Sequence, residues 1–348
     1  MAEFDRIELA PGYSISRIIN GCWQIAPDHG GGPGSFRNCL RMFAELVDRG
    51  FTTFDCADIY AGTEELLGRF RRTLPDPDTI QVHTKYVPDR ASLDELTDDD
   101  VDAAIDRSLR RLGVERLDLL QFHWWSYGVH GVERVTDRLR RAQDAGKLRL
   151  IGVTNFDTPH IRQMVDGGVP IVSLQTQYSL LDRRPERSMT DYARASGIQL
   201  LSYGTLAGGF LSGRYVNAEP PSTMNRSLQK YRLIIDELGG WSVLQRLLGL
   251  LQEIADKHDT TVDAVAARWV LDQPAVAAII LGIGSTSRAQ GNAGIGTLTF
   301  DDEDRQEIND HLASQPIPDG DMYDLERDPQ GPHAKIIKSD LRDAGVRH

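Results

Sequence analysis

Four ionisable side chains, each at or just beyond the end of an apolar run, could together perform acid–base chemistry on a carbonyl group. They are Asp55, Tyr60, Lys85 and His123. A phenol has a pKa of about 10, and a neighbouring ammonium group lowers that pKa because it stabilises the phenolate. Lys85 could supply this charge, Asp55 could hold the lysine in place, and His123 could donate a hydrogen bond to the carbonyl oxygen. Tyr60 would then act as a general acid while a hydride reaches the carbonyl carbon.

Eight short apolar runs rich in β-branched residues could bring these side chains to one end of a barrel. The predicted strands are Arg17–Asn20, Thr52–Asp55, Ile80–Lys85, Leu117–His123, Leu148–Thr154, Val172–Gln177, Gln199–Tyr203 and Ala277–Ile283. A short hairpin, formed by Ile7–Leu9 and Ser14–Ser16, precedes them. Strands that alternate with helical patterns indicate an α/β fold with a parallel sheet, and eight such units favour a (β/α)8 TIM-type barrel over a doubly wound open sheet. Barrel enzymes carry their reactive groups at the carboxyl ends of the strands.

Apolar residues at helical spacing occupy the intervals between the strands. Asp98–Leu112 shows this pattern and is preceded by Thr97, a residue suited to capping a helix. Val132–Ala145 and Thr261–Asp272 repeat it. The pair Thr158-Pro159 is predicted to cap a shorter helix.

The 348 residues are predicted to form one barrel domain, with a core from about residue 18 to residue 313. No linker rich in Pro, Gly or Ser separates two halves. The connection Gly204–Trp241 and the polar C-terminal tail, residues 314–348, do not fit the repeat. Connections of this length are usually functional or disordered.

Composition and charge exclude several classes of partner. The formal net charge of -12 argues against nucleic acid or an anionic membrane as a partner, because the long-range field repels both. Three cysteines without a CxxC pair predict neither a disulfide framework nor a zinc site. The first residues do not form a signal-peptide pattern, and no apolar run approaches ~18 residues. We therefore expect a cytoplasmic enzyme without a metal, whose oligomeric state is left open.

Several motifs, in the right order along the chain, resemble those of the aldo-keto reductase superfamily. They are Gly50–Gly62 followed by Glu64–Gly68, Thr84-Lys85, Gln121–Trp124, Gly152–Phe156 (with Thr154 where Ser is usual) and Leu174–Tyr178. The first surrounds that family's catalytic aspartate and tyrosine, and the next two resemble its lysine and histidine segments. The similarity extends from about Ile18 to Ile308. The resemblance implies a nicotinamide-dependent reductase of aldehydes or ketones.

The resemblance also implies a cofactor site. Thr154, Asn155 and Gln175 match residues that bind the nicotinamide carboxamide, Tyr203 matches the aromatic residue that stacks on the ring, and Gly204, Thr205 and Leu206 would lie beside the pyrophosphate. Near the end of the chain, Ser285 and Arg288 match residues that hold the adenosine 2′-phosphate, and Asn292 matches a contact to adenine. Many relatives have Lys and Glu where this chain has Gly282 and Gly291. Arg288 still favours NADP(H), since a planar guanidinium suits phosphate binding, and NAD(H) is the alternative.

Aromatic residues near the strand ends could form the walls of a substrate pocket. Trp23 matches a pocket-lining position of the family, and Trp124 follows His123 directly. The expected partner is a small carbonyl or alcohol compound, whose identity the loops would determine. His83 shares the barrel-facing side of its strand with Lys85, and we interpret it as a core histidine.

Two other functions are consistent with the same residues. An NAD(P)-linked sugar or alcohol dehydrogenase would run in the oxidative direction, with Tyr60 as the base. The non-enzymatic alternative is a nicotinamide-binding regulatory subunit with little turnover, as in the potassium-channel β subunits of this fold. Asp55 and Lys85 could also form a purely structural ion pair.

Overall fold

A closed barrel of eight parallel strands forms the centre of the protein. The computed structural model describes residues 5–26, 35–284 and 291–336. The barrel strands are β3 (Ile18–Gly21), β4 (Thr53–Asp55), β5 (Gln81–Tyr86), β6 (Leu117–Phe122), β7 (Leu148–Thr154), β8 (Ile171–Gln177), β9 (Gln199–Tyr203) and β10 (Val276–Gly282). They follow one another in sequence order, and β10 pairs with both β9 and β3 to close the ring. The predicted TIM-type barrel is confirmed.

An antiparallel hairpin covers the amino-terminal end of the barrel, as the sequence predicted. It consists of β1 (Arg6–Ala10) and β2 (Tyr13–Ser16). Its apolar side chains are buried in one cluster with residues of the barrel interior, and Ile15 has no exposed surface. Inside the barrel, the hydroxyl of Tyr13 lies 3.2 Å from Nε2 of His83, which places this histidine in the core.

Helices follow the strands and surround the barrel. They are α1 (Phe36–Asp48), α2 (Thr63–Arg71), α3 (Asp98–Leu112), α4 (Val132–Asp144), α5 (Thr158–Asp166), α6 (Met189–Ser196), α7 (Arg226–Glu237), α8 (Trp241–Lys257), α9 (Val262–Leu271), α10 (Asp302–Ala313), α11 (Asp324–Arg327) and α12 (Pro332–Ile336). Short 3-10 turns lie at Trp23–Ile25, Pro77–Thr79, Arg90–Ser92, Arg184–Arg187, Ala207–Gly209, Gly213–Tyr215 and Asn292–Thr297. Among the described residues, no helix combines the length and the apolar character needed to cross a bilayer.

Local signals account for where several helices begin. Thr97 caps α3 by accepting a hydrogen bond from the backbone N–H of Asp100, whose side chain bonds back to the N–H of Thr97. This reciprocal pair satisfies two backbone donors that the first helical turn leaves free. The cap of α5 is Asp157, one residue before the Thr158 that the sequence suggested, because its carboxylate accepts from the N–H of His160.

Two segments without a predicted pattern contain helices that pack on the barrel. The connection 204–241 includes α7, and the tail includes α11 and α12. Tyr231, Ile234 and Ile235 are the buried residues of α7. The segment 317–327 lies over residues that follow β6, β7 and β8. The C-terminal segment therefore lies at the end of the barrel where the carboxyl ends of the strands meet.

Two helical glycines provide a matched test of helix packing. At Gly68 in α2, an added Cβ would lie 2.5 Å from the carbonyl oxygen of Arg111 and 2.7 Å from that of Leu112 in α3. At Gly249 in α8, nothing lies within 4 Å of an added Cβ. We expect Gly68→Ala to destabilise the protein by about 1–3 kcal/mol, because backbone atoms of α3 must shift. Gly249→Ala should stabilise it by up to about 1 kcal/mol through helix propensity. Urea denaturation of both variants measures the difference, and equal midpoints would contradict it.

Candidate active site

Three of the four candidate catalytic residues come from neighbouring strands, and the loop after β4 supplies the fourth. Asp55 ends β4, Lys85 lies near the end of β5, and His123 directly follows β6. The ammonium Nζ of Lys85 lies 2.6 Å from Oδ2 of Asp55 and 5.3 Å from the centre of the Tyr60 ring. Asp55, Lys85 and His123 are buried, whereas Tyr60 is partly exposed. The structure thus brings Asp55, Lys85 and Tyr60 into one cluster at the carboxyl ends of the strands.

Two glutamine side chains hold the other oxygen of the Asp55 carboxylate. Oδ1 accepts hydrogen bonds from Nε2 of Gln121 at 3.1 Å and from Nε2 of Gln175 at 2.6 Å. Gln175 also donates to Oε1 of Gln121 at 3.1 Å. Sequence reasoning did not assign Gln121, although it lies near the end of β6, two residues before His123. These bonds fix the orientation of the carboxylate, whose Oδ2 keeps Lys85 in place.

The pKa of Tyr60 differs from the sequence-based expectation. Burial raises it to about 12, and the nearby Asp55 carboxylate adds to this, whereas Lys85 acts in the opposite direction. Burial alone would lower the pKa of Lys85, but Asp55 and Tyr60 more than compensate and the pKa is raised. Before any ligand binds, Tyr60 is therefore a protonated phenol beside a charged ammonium. That state suits a general acid better than a general base.

The surroundings of His123 bear on the hydrogen bonds that its ring can form. Burial, together with the positive charge of Arg327, lowers the pKa of His123 to about 3, so the imidazole is neutral at physiological pH. Its Nδ1 lies 3.2 Å from the carbonyl oxygen of Thr154, which can only accept. In this geometry the proton is on Nδ1 and Nε2 is an acceptor. In that tautomer the ring can shape the pocket and accept a hydrogen bond at Nε2.

A buried polar network fixes the loop that carries Tyr60. The carboxylate of Glu64 accepts from the hydroxyl of Thr84 at 2.7 Å and from Nη1 of Arg111 at 3.1 Å. The same Arg111 nitrogen donates to the carbonyl oxygen of Asp58 at 3.0 Å. These bonds tie α2 and the preceding loop to β5 and α3, so the position of Tyr60 relative to Lys85 is set by side chains from three elements.

The residues expected to hold a nicotinamide lie together at the ends of β7, β8 and β9. The hydroxyl of Tyr203 donates to Oδ1 of Asn155 at 2.8 Å, and Asn155 has a left-handed backbone conformation with φ of 59°. Among the described residues, the donor Nδ2 of Asn155 and the acceptor Oε1 of Gln175 have no hydrogen-bond partner. A carboxamide has the complementary acceptor and donor, so this set fits the group.

Of the other residues predicted to bind the cofactor, those that the structure describes lie outside the barrel strands. Gly204 and Leu206 follow β9, where the backbone has positive φ at Gly204 and at Ala207. Asn292 begins a 3-10 turn and is partly exposed. Ser285 and Arg288 lie outside the described residues, so their contacts to a phosphate remain a prediction.

The structure supports only one of the two predicted pocket walls. Trp23 follows β3 and is 36% exposed, which leaves its ring accessible. Trp124 has no exposed surface, and its Nε1 donates to the carbonyl oxygen of Val129. The prediction for Trp124 is therefore wrong as a wall position, because the chain turns after β6 and directs this side chain into the core. Trp125 instead lies edge-to-face with His123, with ring centres 4.6 Å apart.

Comparison with known proteins identifies the family. The sequence profile described as "Aldo/keto reductase family" matches residues 17–313. The chain belongs to the aldo/keto reductase family. It is 27% identical to the aldo-keto reductase YhdN of Bacillus subtilis over 326 residues, which is 88% of this chain and 93% of that protein. It is 25% identical to the NADH-specific methylglyoxal reductase of Escherichia coli over 84% of this chain and 93% of that protein.

This chain is also similar to a solved structure and to a longer relative. The structure of the glycerol dehydrogenase AKR11B4 from Gluconobacter oxydans superposes with a TM-score of 0.75 at 25% identity, covering 91% of this chain and 99% of that one. Flagellar radial spoke protein 5 of Chlamydomonas reinhardtii is 27% identical over 69% of this chain, and the match spans 58% of that protein. The barrel described above is thus the family's fold across most of this chain.

In this aldo/keto reductase, α7 and the C-terminal segment bring further side chains to the site. Nζ of Lys230, on α7, lies 5.4 Å from the ring centre of Tyr203 and 5.5 Å from that of Tyr323. Tyr323 packs edge-to-face on His123 with ring centres 5.8 Å apart. Glu326 forms ion pairs with both Lys230 and Arg184. Sequence reasoning missed these residues because no motif surrounds them.

Proposed function

We propose that this protein is an NADP(H)-dependent oxidoreductase that reduces an aldehyde or ketone to an alcohol, with Tyr60 as the general acid. The observation that supports this most directly is the cluster of Asp55, Lys85 and Tyr60 at the catalytic end of the barrel, with Nζ of Lys85 2.6 Å from Asp55. A buried ion pair can have a purely structural role. This one lies beside a partly exposed phenol at the carboxyl ends of the barrel strands, which favours a catalytic role.

Proton transfer is the step that this chain's own residues would perform. The Tyr60 hydroxyl would donate its proton to the carbonyl oxygen, and Lys85 would stabilise the phenolate that results. Asp55, with its bonds to Gln121 and Gln175, would keep Lys85 charged and in place. The nicotinamide, when bound, supplies the hydride. Trp23, Trp125 and Tyr323 would limit the access of water to the reacting carbonyl.

The proposed cofactor site includes residues that the structure describes, together with Ser285 and Arg288, which lie outside the described residues. Thr154, Asn155, Gln175 and Tyr203 would hold the nicotinamide, and Gly204 and Leu206 would lie beside the pyrophosphate. Ser285 and Arg288 would bind the 2′-phosphate of NADP(H), and Asn292 the adenine. NAD(H) is the alternative cofactor, since one relative is named as NADH-specific. The three cysteines are free, which is consistent with the cytoplasmic location that the sequence predicts.

A screen of cofactor oxidation tests this proposal. We expect the purified protein to oxidise NADPH in the presence of at least one member of a panel of aldehydes, ketones, sugars and pyridoxal-like compounds. Arg288→Ala should raise KM for NADPH by at least about 10-fold, as expected for the loss of a charge-assisted contact, and change KM for NADH much less. Arg305→Ala, which removes an exposed arginine from α10, serves as the control.

Other outcomes of the screen would favour the alternatives. Tight nicotinamide binding with no turnover of any carbonyl or alcohol would favour a regulatory subunit. Turnover in the oxidative direction alone would favour a dehydrogenase, the activity named for the structurally similar protein of Gluconobacter oxydans. The raised pKa of Tyr60 argues against that direction, because a base must first lose its proton.

A further inference from the structure

The C-terminal segment places an arginine beside the candidate active site. The guanidinium Nη2 of Arg327 donates to the carbonyl oxygen of Trp124 at 2.9 Å and to that of Asn155 at 2.7 Å. Trp124 directly follows His123, and Asn155 is one of the residues proposed to hold the nicotinamide. Arg327 is therefore fixed between the ends of β6 and β7, on the side of His123.

Two aromatic rings hold the guanidinium of Arg327 in position. Its Cζ lies 4.1 Å from the ring centre of Tyr127 and 5.1 Å from that of Tyr323. A guanidinium that lies over a ring face keeps its N–H bonds in its own plane, directed away from the ring. The contacts with Tyr127 and Tyr323 thus orient the group and leave its other N–H donors for a further partner.

The charge of Arg327 has no carboxylate partner in the part of the chain that the structure describes. Among the described residues, no acidic oxygen lies within 4.0 Å of its nitrogens, and the buried Nε and Nη1 atoms have no acceptor. The nearest acids have other partners. Asp157 accepts from the backbone and ring of His160, Asp324 accepts from the N–H of Asp321, and Glu326 pairs with Arg184 and Lys230.

An unpaired cation in this setting is unfavourable without a ligand. Burying charged donors without acceptors costs free energy, and proteins normally pair such groups or place them where a ligand completes them. The neighbouring Glu326 obeys this rule, since it has two cationic partners. Arg327 differs from it, and its charge acts on the nearby His123.

We propose that Arg327 binds an anionic group of the carbonyl substrate, a carboxylate or a phosphate. This inference rests on the proposed function and adds the substrate class to it. The reacting carbonyl would lie at Tyr60, and the anionic group would lie beyond His123 at Nε and Nη1 of Arg327, with the ring of Tyr323 between them. The side chain of Tyr323 is 8% exposed, so it must shift as the ligand enters. Arg327 would thereby act as a specificity-determining residue.

Matched pairs of aldehydes test this substrate class and separate the two anions. Succinic semialdehyde carries a carboxylate that butanal lacks, so this pair measures the effect of a carboxylate. Glyceraldehyde 3-phosphate and glyceraldehyde measure the effect of a phosphate in the same way. We expect kcat/KM for at least one anionic member to exceed that for its neutral partner by at least about 10-fold, a typical effect of a charge-assisted contact. Arg327→Leu should bring this ratio close to one, mainly through KM, and Arg327→Lys should have an intermediate effect.

A control variant and a binding measurement exclude a merely structural role. Arg134 is exposed on α4, and Arg134→Leu should leave the ratio unchanged. With NADP⁺ present to fill the phosphate site proposed at Ser285 and Arg288, succinate or inorganic phosphate should raise the Tm of the wild-type protein and of Arg134→Leu, but not that of Arg327→Leu. Equal ratios in the wild type and Arg327→Leu, or an anion-dependent Tm shift that persists in Arg327→Leu, would overturn the inference. If the wild type reduces no carbonyl at all, the proposed function fails, and the Tm measurement still decides whether Arg327 binds an anion.

Discussion

Replacement of Tyr60 by phenylalanine is expected to lower kcat for carbonyl reduction by about 10²–10⁴-fold, the usual contribution of a positioned general acid. The substitution removes one oxygen and keeps the ring that lies 5.3 Å from Nζ of Lys85. The proposed nicotinamide contacts at Asn155, Gln175 and Tyr203 do not include Tyr60, so the Kd for NADPH should change little. The loss should therefore appear in the chemical step.

Steady-state kinetics with a substrate from the screen, together with quenching of protein fluorescence by NADPH, measure these two effects. Tyr192→Phe is a suitable control, because Tyr192 lies on α6 and contacts Arg162 outside the proposed site. Folded Tyr60→Phe protein with full turnover would refute the role assigned to this residue. The pKa of Tyr60, raised to about 12, has a further consequence. The phenol stays protonated well above neutral pH, so kcat for reduction should not fall between about pH 7 and pH 10 through loss of this proton.

Replacement of Arg184 by methionine is expected to destabilise the protein by about 3–5 kcal/mol, the cost of removing one partner from a buried ion pair. The Arg184 side chain has no exposed surface and lies between the carboxylates of Asp182 and Glu326. Without it, two buried carboxylates would share the single ammonium of Lys230. The C-terminal segment should separate from the barrel first, since Glu326 is its most deeply buried charged residue.

Urea denaturation and limited proteolysis of the C-terminal segment measure this effect. Arg187→Met is a matched control, because Arg187 also contacts the segment, through the carbonyl oxygens of Ile317 and Pro318, but its side chain is 41% exposed. Its replacement should cost less than about 1 kcal/mol, as for exposed pairs. Comparable losses in the two variants would contradict the prediction.

The same network predicts how docking of the segment depends on pH. Burial alone would raise the pKa of Glu326, but Arg184 and Lys230 lower it to about 2. A carboxyl group with a lowered folded-state pKa contributes stability that is fully present above its unfolded value of about 4.3 and is lost as the pH falls towards about 2. Protection of the segment from proteolysis by pepsin should therefore decline over this range in the wild type.

Local patterns in the amino-acid sequence were enough to predict the barrel and most of the positions around which the candidate site is built. Strand and helix patterns are local, and Thr97 with Asp100 shows how four residues are enough to start a helix. The carboxyl ends of parallel strands meet at one end of a barrel, so Asp55, Lys85 and His123 could be assigned to one place before any distance was known. The structure has all three at that end.

The behaviour of these groups depends on contacts that form only in the folded protein. The pKa of Tyr60 depends on how deeply it is buried, and the state of His123 depends on the carbonyl oxygen of Thr154 and on Arg327. Trp124 points into the core and Trp125 towards His123, a choice that depends on how the chain turns after β6. Glu326 and Arg327 reach the site from the end of the chain through contacts with residues more than 100 positions earlier. Such long-range contacts have no local pattern, because burial and charge pairing arise only when distant segments pack together.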